Sequence, residues 1–197
     1  MNTKFMDTKH EFAKEIMKIH NPSMAKVCLD MMKNIPDYFW VIPASTGKNR
    51  PECDLGRGGL VRHSIMVATI ADELITSGAF AIEDTPFSHD TARIAALFHD
   101  VLKYGIPDDD EDDDNNYSKR TGPNRPALSS KWVMDNMCDK VDTKSIIRIC
   151  DVIEFNRCQW KFREYSNNKV HWPGSPIQEL VHTADFIASK RWIGGLW

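Results

Sequence analysis

Four residues could do chemistry together: His63, the adjacent pair His99-Asp100, and Asp185. They occur in the order H…HD…D, each inside a stretch with a helical apolar pattern. Two imidazoles and two carboxylates suit a borderline divalent metal that keeps coordination positions open. An ion held in that way makes a nucleophilic hydroxide from water near neutral pH. Taken singly, His63 reads as a hydrogen-bonded core histidine and Asp185 as a helix-surface carboxylate. The conjunction changes that reading. Four such groups on separate buried faces would each be costly without a common partner.

The elements that must position them are helical almost throughout. The pattern predicts helices over 11–19 and 24–35, with Ser23 as the cap of the second and Pro36 as its stop. A long connection over 41–59 holds two prolines and four glycines and ends in a sharp glycine turn. The helix over 60–77 is the clearest, since Leu60, Val67, Ile70 and Leu74 form one stripe that includes His63. Ser88 is the expected cap of the next helix, which runs through His99-Asp100 to Lys103. Further helices are expected over 128–137, 143–157 and 177–190, with Asp185 at the edge of the last buried face. Polar loops are expected at 108–126 and 165–176, and no segment reads as a strand.

With 197 residues, 42% of them hydrophobic, the chain suffices for one core. Net charge is -3, which argues against a broadly basic, nucleic-acid-coating surface. No apolar run has transmembrane length, and the amphipathic N-terminus lacks a signal-peptide segment. The five cysteines are scattered without a CxxC pair, as expected for a reduced cytoplasm rather than a disulfide framework. The acidic run from Asp108 to Asp114 lacks the glycine turn and distal glutamate of an EF-hand, so a solvated loop is its expected meaning. His89, His171 and His182 have no partner pattern and read as structural or surface residues. Most of the tryptophans read as core or helix-capping groups.

The segments Gly59-Leu-Val-Arg-His63-Ser, Ala95-Ala-Leu-Phe-His99-Asp100-Val-Leu-Lys103 and Val181-His-Thr-Ala-Asp185 resemble the HD superfamily of metal-dependent phosphohydrolases. The resemblance spans 58–190. The upstream stretch through Val41-Ile-Pro-Ala-Ser-Thr46 to Gly58-Gly59 is similar to small HD proteins of bacteriophage genomes. The resemblance implies an all-α, single-domain helical bundle with the metal held between helices. It makes 58–190 the core, 1–57 an N-terminal region packed on it, and 191–197 a tail. It also implies that His63, His99, Asp100 and Asp185 are the ligands. Some HD enzymes use two further histidines for a second metal. The corresponding places here fall near Arg125 and Asn156, so one tightly held ion is expected.

The activity so implied is hydrolysis of a phosphoester or phosphoanhydride in a nucleotide-like substrate. Alternatives are a phosphodiesterase on cyclic or short oligonucleotides and a non-catalytic, metal-stabilised nucleotide-binding module. Asp100 is a candidate partner for the attacking water. Lys103 shares its face and can offset charge on phosphate oxygens. Arg62 and Arg125 are candidate substrate contacts, Arg125 through a bidentate grip on phosphate. Mixed nitrogen and oxygen ligands admit manganese, iron, nickel, cobalt or zinc, with magnesium arriving on substrate phosphates. The expected partner is a small phosphorylated molecule, with neither long nucleic acid nor a membrane involved; oligomeric state is left open. The expected location is cytoplasmic.

Overall fold

The computed structural model describes residues 7–45, 47, 50–106, 125–156 and 174–191. Seven α-helices follow one another among the described residues: α1 (Thr8–Ile16), α2 (Pro22–Met31), α3 (Gly59–Thr76), α4 (Pro86–Phe98), α5 (Arg125–Met137), α6 (Thr143–Phe155) and α7 (Pro176–Ala188). Short 3₁₀ turns occur at Met32–Asn34, Asp37–Trp40 and Glu52–Asp54. No strand is present among the described residues, so the chain is all-α as the apolar periodicity predicts. The acidic run, Lys119-Arg120, His171 and the tail 192–197 lie outside the described residues.

Helix starts follow the side chains able to satisfy free N–H groups. Asn21, not Ser23, caps α2: its Oδ1 accepts from the N–H groups of Ser23 and Met24 at 3.0 and 3.2 Å. Pro22 has no N–H to satisfy and suits the first helical position, which moves the start back. Thr85 takes the place predicted for Ser88, accepting the Ser88 N–H at 3.2 Å with Pro86 behind it. Asp142 caps α6 through the Ser145 N–H at 3.0 Å.

Helix α3 is the axis of the bundle. It lies mainly between α4 and α7, with α1 and the Glu52–Asp54 turn also packed against it. Leu60 and Val67 of the predicted stripe are fully buried, whereas Ile70 and Leu74 are only partly so. The burial extends instead over Val61, Ser64, Ala68 and Ala71, where small side chains let neighbouring helices approach. An aromatic cluster fixes α1 to the end of α4. Phe12 meets Phe39, Trp40 and Phe98 edge-on at 5.5–5.6 Å between ring centres.

The predicted helix through Lys103 stops earlier, at Phe98. His99 Nδ1 donates to the carbonyl of Ala96 at 2.8 Å, the carbonyl that an uninterrupted helix would offer to the N–H of residue 100. The chain tightens into i→i−3 turns from Val101 to Phe98, Lys103 to Asp100 and Gly105 to Leu102. Tyr38 donates its hydroxyl to the Gly105 carbonyl at 2.8 Å, and the Leu102 N–H donates to Ser129 Oγ at 3.2 Å. His99 and Asp100 therefore sit on a pinned turn rather than inside a helix.

Candidate metal centre

His63, His99 and Asp185 converge. One ligand atom from each lies within 4.8 Å of the other two. His63 comes from the first two turns of α3, His99 from the turn after α4, and Asp185 from the last turns of α7. Both imidazoles are buried at 2–3% side-chain exposure, while Asp185 keeps 23%, so the cluster opens toward solvent on the α7 side.

Hydrogen bonds fix how each ring is presented. A carbonyl only accepts, so the His99–Ala96 bond places the proton on Nδ1. Nε2, which carries the lone pair of the neutral ring in that tautomer, is buried with no hydrogen-bond partner among the described residues. A buried acceptor of this kind costs free energy unless something meets it. His63 Nε2 lies 2.9 Å from Asp185 Oδ1. The opposite edge of that ring, Nδ1, lies 3.3 Å from Asp54 Oδ2, at ion-pair distance but long for a hydrogen bond. Asn156 Nδ2 donates to Asp185 Oδ2 at 3.1 Å. A neutral imidazole whose other nitrogen is held by a carbonyl or carboxylate is the usual form of a metal-bound histidine. The donor set therefore fits a divalent cation.

Electrostatics agree. Burial alone would push the His63 imidazole down, but the Asp185 and Asp54 carboxylates outweigh it and hold its pKa up to about 9. Burial would likewise lift Asp185, yet its bond to His63 and the nearby His99 hold the carboxyl well below the usual range. Positive charge is thus favoured at this point of the structure, whether it arrives as a proton or as a cation.

Asp100 stands beside the three rather than among them. Its Oδ2 is 3.7 Å from His99 Nε2 and 2.7 Å from Lys103 Nζ, with both side chains buried. Lys103 keeps the neighbourly relation expected of it, through a turn instead of a shared helix face. Arg62 holds the backbone of the loop before α3. Its guanidinium donates to the carbonyls of Cys53, Leu55 and Arg57 at 2.7, 3.0 and 2.9 Å. Arg125 opens α5, one turn ahead of the Ser129 that holds the His99-Asp100 turn.

Sequence reasoning missed Asp54, which is fully buried against His63. The prolines and glycines around it announce a shaped loop, but a loop has no period to say which carboxylate turns inward. His182 fits its structural reading, donating from Nδ1 to the Asn156 carbonyl at 2.8 Å.

Searches of curated proteins and of solved structures gave no significant match. The HD domain family model matches residues 60–180. That stretch contains His63, His99, Asp100 and Lys103, and it ends five residues before Asp185, which the geometry supplies. With the family model covering more than half of the sequence, the chain belongs to the HD domain family.

Proposed function

We propose that the protein is a metal-dependent phosphohydrolase of a small, nucleotide-like substrate, with His63, His99, Asp100 and Asp185 as the ligand set for one tightly held divalent cation. HD domains are typically metal-dependent hydrolases, which supplies the reaction class. The observation that carries the reading in this chain is His99 Nε2, buried without a hydrogen-bond partner among the described residues beside a second imidazole and a carboxylate. When bound, the cation would polarise a phosphoryl oxygen and acidify a water.

The remaining chemistry belongs to the chain's own groups. Asp100, at the edge of the cluster, orients the attacking water and accepts its proton. Lys103, held by Asp100, offsets the charge that builds on the phosphoryl oxygens. Arg125 is one turn from Ser129 on the same face of α5 and offers a bidentate grip on phosphate. Arg62 shapes the loop under His63. The exposure of Asp185 marks the side from which a small substrate enters. The net charge of -3 disfavours long nucleic acid as that substrate. No helix among the described residues is long and apolar enough to cross a membrane. The likeness of the upstream stretch to small bacteriophage-type HD proteins, an analogy only, suits a cytoplasmic role in nucleotide pools or nucleotide signalling.

The test is phosphate release by the purified full chain from nucleoside monophosphates and triphosphates. Manganese, iron, cobalt, nickel, zinc and magnesium are each supplied in turn. Turnover that depends on one of the metals is expected. A protein that binds the metal and turns over nothing in the panel overturns the hydrolase reading. One observation favours a second reading, a metal-stabilised nucleotide-binding module: Asp100 is already ion-paired with Lys103. Thermal stabilisation by nucleotide without product would select it.

A further inference from the structure

We infer that Asp54 is a positioning residue of the metal centre: its carboxylate holds the Nδ1 edge of His63 so that Nε2 faces the cation. The inference rests on the reading of His63 as a ligand given above. The loop over 50–59 delivers one carboxylate to that ring. Asp54 is completely buried, and its Oδ2 lies 3.3 Å from His63 Nδ1. Among the described residues no better-aligned acceptor serves that nitrogen, which has no hydrogen bond of good geometry there. A buried carboxylate with no compensation would be costly, and Arg50 supplies it, with Nη1 3.4 Å from the same oxygen.

The backbone around Asp54 is held as firmly as its side chain. Its carbonyl accepts from the Ala44 N–H at 2.9 Å, and its own N–H donates to Pro51 at 3.1 Å. Arg62, one residue before His63, ties down the carbonyls of Cys53 and Leu55 on either side. Gly59 lets the loop lie directly on the start of α3: a Cβ there would stand 2.2 Å from the Asp54 carbonyl oxygen. Gly58, at φ 74°, makes the turn that brings the chain back. A loop that served only to connect α2 with α3 would need none of these restraints on one buried acid.

A carboxylate behind a metal-bound imidazole fixes the tautomer and raises ligand basicity, and its loss typically weakens metal affinity about 10- to 100-fold. The experiment compares the full chain with its Asp54→Asn and Arg50→Gln variants, using zinc alone as the probe. Affinity is read by competition with a chromogenic chelator. The ¹⁵N shifts of the histidine rings report which nitrogen of His63 is ligated. Asp54→Asn keeps the shape and is expected to weaken zinc about 10- to 100-fold and to give His63 a mixed Nδ1/Nε2 signature. Arg50→Gln, the milder change, is expected to weaken it about 3-fold with the signature intact. A folded Asp54→Asn protein with native affinity and a purely Nε2-ligated His63 overturns the inference and leaves the metal centre standing. Should Asp54→Asn fail to fold, native zinc affinity in Arg50→Gln overturns it instead. A native protein that binds no zinc overturns the metal centre and Asp54's role together.

Discussion

Two clusters of histidine and carboxylate stand out among the described residues, and they differ in whether their ligand atoms are already taken. Toward the N-terminal end of α4, His89 donates to Asp72 through Nδ1 at 2.6 Å and to Asp84 through Nε2 at 2.9 Å. Arg93 joins Asp72 at 2.8 Å and pairs with buried Glu15, whose other oxygen meets Lys18 at 2.6 Å. Nearby, Asp90 takes the N–H groups of His20 and Asn21 at 2.7 and 2.9 Å. Every carboxylate there has a partner, and both nitrogens of His89 are engaged. At the other end of α4, three ligand atoms face one another and His99 Nε2 has no hydrogen-bond partner among the described residues. The composition of the two clusters is similar. What separates a brace from a binding site is whether the lone pairs close on each other or converge on a shared point.

That contrast can be broken by exchange. His99→Gln keeps roughly the side-chain volume and removes the converging lone pair. It should lower metal-dependent turnover about a thousandfold or more, about 4 kcal/mol, while the melting temperature of the metal-free protein moves little. A variant with near-native turnover would show that the open cluster is not the reaction centre. Arg93→Met should do the reverse. It takes the shared guanidinium from Glu15 and Asp72, which keep Lys18 and His89, so unfolding in urea should show a loss of about 3 kcal/mol, with metal affinity in the remaining folded protein within about twofold of native. A large drop in affinity would mean the two clusters are coupled along α4.

Two further measurements sharpen the comparison. Gly59→Ala puts a methyl against the Asp54 carbonyl, and backbone cannot yield as a side-chain tip does. A loss of about 2 kcal/mol in stability is expected, together with weaker metal binding, since Asp54 must shift. Unchanged affinity would separate the loop from the centre. The smallest effect per step is in pH. His63 carries its proton up to about 9 in the metal-free protein, and a cation must displace it. Affinity measured by calorimetry should therefore rise about tenfold, about 1.4 kcal/mol, for each pH unit from 7 toward 9 and then level off. Metal-free stability should move oppositely. The raised His63 pKa contributes fully below the unfolded value of about 6.5 and is lost as pH rises through about 9. A flat affinity profile would remove His63 from the centre.

The all-α architecture and the position of His63 were legible because both are written in a repeated spacing. The apolar steps around α3 put His63 on the inside before any contact is known. The end of α4 was not legible, because what stops it is the His99 imidazole bonding to its own helix. A pattern of apolar residues continues unbroken through that point. The backbone contacts of Arg62 were not legible for a related reason. Its three partners are main-chain carbonyls, and those carry no residue identity for a sequence to display. His89 had no partner pattern because Asp72 and Asp84 approach from α3 and from the turn after it, at separations of 17 and 5 residues that no single helix would bring together.

The hydroxyl of Tyr38 on the Gly105 carbonyl has a practical consequence. It ties the turn bearing His99 and Asp100 to a segment well upstream of residues 60–180, the stretch that the family model covers. A fragment trimmed to that stretch would retain both ligand histidines, yet it would forfeit this anchor, the acid behind His63 and the aspartate from α7 alike. Anyone shortening the chain for crystallisation, or grafting its chemistry onto another scaffold, would do well to keep residues 8–188, since α1 and α2 carry the buried Phe12, Glu15 and Cys28 and α7 runs on past Asp185.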